Sequence, residues 1–179
     1  MARYIAFLRA INVGGHVVKM ETLRAHFTEL GFTDVSTFIA SGNVIFEAPV
    51  QASRLEKKIE AHLQAALGYE VDTFLRTPDQ VRQVIAAAEL KLGRFLAKGA
   101  NVYIGFLRKL PSEAQQKQTV ALSNEVDVLS FHNRELFWLC HESMAQTTIT
   151  PPKLAKALGG PTTTRNITSL RKLIATPLA

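Results

Sequence analysis

Three polar segments carry residue types that grip an anion: Arg9-Ala-Ile-Asn-Val-Gly-Gly-His16, Ser41-Gly-Asn43 and Thr162-Thr-Thr-Arg-Asn166. A guanidinium offers a planar fork of donors that matches carboxylate and phosphate oxygens, and paired glycines let backbone N–H groups come close to a ligand. Arg9, Asn12, Gly14 and Gly15 supply that combination in the first segment, while Ser41, Gly42 and Asn43 add short polar groups in the second. In the third, Thr164 stands where it would cap a helix whose N-terminus, with Arg165 and Asn166 beside it, suits a phosphate, sulfate or carboxylate. Arg165, Thr168 and Lys172 recur at i, i+3 and i+7, opposite Ile167, Leu170 and Ile174, so the spacing predicts an amphipathic helix with one cationic edge.

No catalytic residue is assigned. Asparagine neither titrates nor attacks, so an enzyme built on these segments would need His16 or a substrate group to move protons. The first segment lacks both the G-x-G-x-x-G spacing and the Gly-Lys-Ser/Thr ending of the common phosphate loops, which disfavours nucleotide binding by either route. His16, His26, His62, His132 and His141 form no His-x-x-x-His pair and the single cysteine no Cys-x-x-Cys pair, so neither a metal nor a cofactor is expected. Cys140 and His141 are strand neighbours facing opposite ways, which suits a buried structural cysteine better than a nucleophile with its base. Glu125, Asp127 and Glu135 flank a hairpin and read as solvent-side strand residues.

The elements that must position these groups begin with a strand at Tyr4-Ile-Ala-Phe-Leu8, followed by a helix on which Met20, Leu23, Phe27 and Leu30 share one face. Gly31 suits the left-handed residue that stops this helix, with Phe32 folding back on Phe27. Runs at 35–39 and 44–46, separated by Ser41-Gly42-Asn43, predict an antiparallel hairpin. Leu55, Ile59, Leu63 and Leu67 predict a helix over 51–67, stopped by Gly68 before a strand over 71–75. The resulting βαββαβ order is the ferredoxin-like arrangement. A further helix starts at Thr77-Pro-Asp-Gln80, where a capping box is possible.

Tyr103-Ile-Gly-Phe-Leu-Arg108 matches Tyr4-Ile-Ala-Phe-Leu-Arg9 at five of six positions, 99 residues further on. A helix opened by Pro111-Ser112, a strand over 126–131, a turn at His132-Asn133 and a strand over 136–140 repeat the βαββ order, which predicts an internal duplication. Helices near 151–158 and 165–175 then stand in place of a helix and a final strand. The expected fold class is therefore α+β: tandem ferredoxin-like βαββ(α) repeats, antiparallel sheets with helices packed on one face, and extra C-terminal helices. The expected lobes are 1–88 and 98–179.

The formal net charge of +6 is uneven: residues 1–20 and 143–179 contain Arg and Lys but no Asp or Glu. Acid-free ends predict a positive field that draws an anionic partner. Tyr4 to Leu8 is too short for a secretion signal, no apolar run is long enough to cross a bilayer, and one cysteine suits a reducing compartment, so a soluble cytoplasmic protein without a membrane partner is expected.

Arg9-Ala-Ile-Asn-Val-Gly-Gly15 with Met20, Leu23-Arg24, Leu30-Gly-Phe32 and Ser41-Gly-Asn-Val44, closed by Thr164-Arg-Asn166 and Lys172-Leu173, resembles domain-of-unknown-function family 1697 over nearly the whole chain. Ala10, where the family usually has glycine, and Ile167, where an aromatic often follows Arg-Asn, depart mildly from its pattern. The resemblance implies a two-lobed α/β fold and no established activity, cofactor or catalytic residue. The function expected from the residues is binding of an anionic ligand, a phosphorylated metabolite or nucleic acid, in a basic cleft between the lobes. A small enzyme acting on a phosphorylated metabolite and a protein-interaction module are the alternatives. A single sequence does not fix the oligomeric state.

Overall fold

A computed structural model describes residues 1–39, 42–49, 52–96 and 98–176, and the chain divides into two compact units centred on Met1–Val81 and Arg82–Ala175. The first runs β1 (Ala2–Leu8), α1 (Met20–Glu29), β2 (Thr33–Phe38), β3 (Asn43–Ala48), α2 (Ala52–Leu67) and β4 (Thr73–Arg76), with α3 (Pro78–Leu96) following. Its four strands form an antiparallel sheet in the order β2-β3-β1-β4, the ferredoxin-like order.

Local chemistry sets the element ends. Gly31, at φ +83°, donates to the Thr28 carbonyl and Phe32 to that of Phe27, while the two rings lie 6.0 Å apart; this is the predicted glycine stop with its apolar clasp. Thr77 and Gln80 exchange side-chain and backbone bonds of 3.0 and 3.2 Å, closing the predicted capping box.

Tyr4, Ala6 and Leu8 of β1 pack with Leu23 and Phe27 of α1 and with Leu55, Ile59 and Leu63 of α2. Ile5, Phe7, Ile45 and Phe74, on the opposite face of the sheet, are buried as well. Two-sided burial is why Tyr4 to Leu8 is continuously apolar instead of alternating.

The second unit runs β5 (Asn101–Phe106), α4 (Glu113–Val120), β6 (Asp127–His132), β7 (Glu135–Cys140), α5 (Pro151–Leu158), β8 (Thr163–Asn166) and α6 (Ile167–Ala175). Its sheet order, β6-β7-β5-β8, is that of the first unit. Here the sequence expectation needs correcting: a final strand is present. Thr163 to Asn166 pair with Phe106 to Tyr103, and the last helix begins at Ile167 rather than 165. The registers correspond too, with Ile5 opposite Arg76 and Ile104 opposite Arg165. No helix among the described residues is long and apolar enough to cross a membrane.

Candidate functional site

The connection from β1 to α1, residues 9–19, holds four of the predicted site residues in one loop. It spans eleven residues, whereas the corresponding link from β5 to α4 spans six, residues 107–112. Its base is braced on several sides. Arg9 donates its backbone N–H to the Asp72 carbonyl at 2.9 Å and its guanidinium to the Asp72 carboxylate at 3.2 Å. The Asn12 side-chain oxygen accepts the Val18 N–H at 2.7 Å, tying the two limbs together. The Tyr69 hydroxyl donates to the Ile11 carbonyl at 3.0 Å, and the His16 ring stacks on the Tyr69 ring at 3.8 Å. Burial raises the Tyr69 phenol above its ordinary value, so it remains a neutral donor.

The tip is a tight turn. His16 N–H reaches the Val13 carbonyl at 3.3 Å across Gly14 and Gly15, at φ +67° and +88°. Positive φ at both central residues is the reason for two glycines. Val13, Gly14, Gly15, His16 and Val17 are exposed, and a Cβ placed on either glycine would meet nothing within 4 Å. The loop thus combines a fixed base, an open backbone at its tip, and Arg9 and Lys19 at its two ends.

Gly42 and Asn43 lie at the same end of the sheet but serve the fold. The Gly42 carbonyl accepts from Leu8 N–H at 2.9 Å, and a Cβ there would come within 2.7 Å of Ile11. Asn43 is 2% exposed and donates to the Phe38 carbonyl at 3.1 Å. Ser41 lies outside the described residues.

The remaining candidates gather at the β8–α6 junction of the second unit. Thr164 is a strand residue, and it is Asn166 that caps α6, its side-chain oxygen accepting from Thr168 N–H at 2.8 Å. Arg165 sits in the strand too, so it does not share a helical stripe with Thr168 and the exposed Lys172. Its buried guanidinium donates to Thr163 Oγ1 at 2.7 Å and to the Thr164 carbonyl at 2.9 Å, and burial lowers its pKa to about 10.

Arg76, which sequence reasoning missed, is its counterpart in the first unit. It is 1% exposed and donates to the carbonyl of the preceding residue, Leu75, at 2.7 Å. No sequence signal matches the two arginines, because Arg76 follows Tyr4 by 72 residues and Arg165 follows Tyr103 by 62; the correspondence is one of strand register. Each guanidinium is buried and bonds groups of its own strand, β4 or β8.

Other titratable groups are also committed to the architecture. Asp127 and Glu135, expected on the solvent side, are buried; Asp127 accepts from Trp138 Nε1 at 2.7 Å and Thr147 Oγ1 at 2.6 Å. Cys140 is buried, and its thiol is raised chiefly by that burial, which makes it a poor nucleophile.

The comparisons with known proteins agree with this fold. No curated protein matches the chain. A solved structure, that of the conserved bacterial protein SP0830 from Streptococcus pneumoniae, is similar with a TM-score of 0.69 and 25% identity, covering 97% of each chain. The model of a family described as a protein of unknown function, DUF1697, matches residues 1–137. With its two ferredoxin-like units and that match over most of its length, the chain belongs to the DUF1697 family.

Proposed function

We propose that this protein binds a small phosphate- or carboxylate-bearing ligand at the 9–19 loop, through the exposed Gly14 and Gly15 amides with Arg9 and Lys19 supplying positive charge. The observation that carries this reading is the difference between the two units: the same topology has a short link in one and a long, braced, glycine-tipped link in the other. Loops held on a rigid scaffold are where binding residues concentrate. The loop sequence contains no acid, although Asp72 offsets part of the Arg9 charge. A small ligand is favoured over nucleic acid because Tyr4, Phe7 and Phe46 are buried, and the half-buried Phe38 by itself makes a poor stacking platform for bases.

The test is a titration with inorganic phosphate, pyrophosphate and citrate, followed by amide NMR. The Gly14 and Gly15 resonances should move first and saturate, and Arg9→Gln should weaken the preferred anion about tenfold, as expected for losing one charge-assisted hydrogen bond. Small shifts spread over the surface lysines and arginines, unchanged by Arg9→Gln, would sink the proposal.

A further inference from the structure

Helices α1 and α2 bring together three groups that sequence spacing does not connect. His26 and Glu29 lie one turn apart on α1, at i and i+3, so their side chains share a face. His62 comes from α2, 36 residues away in the chain from His26. His26 Nδ1 stands 3.4 Å from Glu29 Oε2, His62 Nε2 stands 3.4 Å from the same oxygen, and the two ring nitrogens are 3.3 Å apart. Two imidazole nitrogens and a carboxylate oxygen therefore mark a nearly equilateral triangle.

The edge of that triangle carries the argument. Hydrogen-bonded nitrogen and oxygen atoms settle at about 2.9 Å, and these three edges are all longer. Ligand atoms held about 2.0 to 2.1 Å from zinc at tetrahedral angles stand about 3.3 to 3.4 Å from one another. An octahedral magnesium with bonds of the same length would need about 2.9 Å between neighbouring ligands, and two imidazoles are the wrong donors for it. The C-terminus of α1, where this cluster sits, also presents the negative end of the helix dipole, which favours a cation. Lys58, one turn before His62, does not compete for the triangle in this arrangement: its ammonium donates to the Leu30 carbonyl at 2.7 Å.

From this geometry we infer a site for a divalent transition metal of the zinc type, bound by His26 Nδ1, Glu29 Oε2 and His62 Nε2. Three protein ligands leave a fourth tetrahedral position for water or an incoming donor atom. The side-chain exposures of 16% for His26, 27% for His62 and 61% for Glu29 place the imidazoles partly inside and the carboxylate at the surface, so a metal has a way in. None of these residues belongs to the 9–19 loop, and the inference stands apart from the anion reading. It departs from the sequence expectation of no metal, which considered local motifs only.

The test titrates the full chain with Co(II), read by its visible spectrum, and then with Zn(II) in competition with a chromophoric chelator. One equivalent of Co(II) should give the intense visible bands of a four-coordinate ion, and Zn(II) should displace it. His62→Ala should weaken Zn(II) binding by at least about 100-fold, since even outer partners of metal ligands cost about 10- to 100-fold. Glu29→Gln, at an exposed position where folding is not at risk, should weaken it about tenfold or more. Absence of stoichiometric binding to the wild type would overturn the inference, as would Zn(II) affinity unchanged in both variants, which would locate the metal elsewhere.

Discussion

A buried carboxylate is a costly residue to carry unless its oxygens are satisfied, and Asp127 shows how this chain meets that requirement. Each oxygen accepts one bond, from the Trp138 indole and the Thr147 hydroxyl, fixing β6, β7 and the segment after β7 to one another. Its sequence neighbourhood gave no sign of this. Asp127 flanks a hairpin, where acids normally face solvent, and its partners lie 11 and 20 residues away. Asp127→Ala would leave the buried Trp138 indole and the half-buried Thr147 hydroxyl without this acceptor, so it should destabilise the protein by about 3 kcal/mol. Asp127→Asn keeps one acceptor and should lose less. Denaturant unfolding of the three proteins measures both, and an alanine variant within about 0.5 kcal/mol of the wild type would refute this role.

At the level of elements, what could be read from the sequence depended on how local the deciding interaction was. The Gly31 stop, the Thr77–Gln80 capping box and the α1 and α2 stripes are each decided within a few residues, and the structure has them as expected. Strand β8 is decided by its partner β5, about 60 residues earlier. Thr-Thr-Arg-Asn has no apolar run to announce a strand, and its Arg165 fits a helical period with Thr168 and Lys172 by chance. For the same reason the sequence does not show that the Arg165 guanidinium is buried and bonded to Thr163 and Thr164 of its own strand. Arg165→Ala should cost about 3 kcal/mol, combining a cavity with an unpaired Thr164 carbonyl, and Arg76→Ala should behave alike in the first unit. Arg165→Met, which keeps the volume and removes a desolvated charge, should recover at least half of the loss.

The pH dependence of that arginine follows from its depressed value. Above about 10, where the folded guanidinium loses its proton before that of the unfolded chain does, the unfolded state binds more protons, so stability rises with pH only in that window. Below it both states are protonated, and the difference between wild type and Arg165→Met should stay constant from about pH 6 to about pH 9. A difference that changed across the neutral range would mean that another group, not Arg165, governs the junction.

For the whole molecule the question is whether anion binding belongs to the 9–19 loop or only to the formal charge of +6. Salt separates the two. A single-stranded oligonucleotide held by about three phosphate contacts loses roughly 20-fold in affinity between about 50 and about 200 mM salt, because each contact releases counterions. A small anion held mostly by backbone amides, with about one cation engaged, should lose only about fourfold over the same range. We therefore expect the anion preferred in the NMR titration to retain most of its affinity at the higher salt, while homopolymer RNA binding collapses. If both fall in parallel, the positive ends of the chain act as a diffuse field and the loop confers no selectivity. If RNA alone retains affinity, the recognition involves contacts other than phosphate, and the small-ligand reading fails.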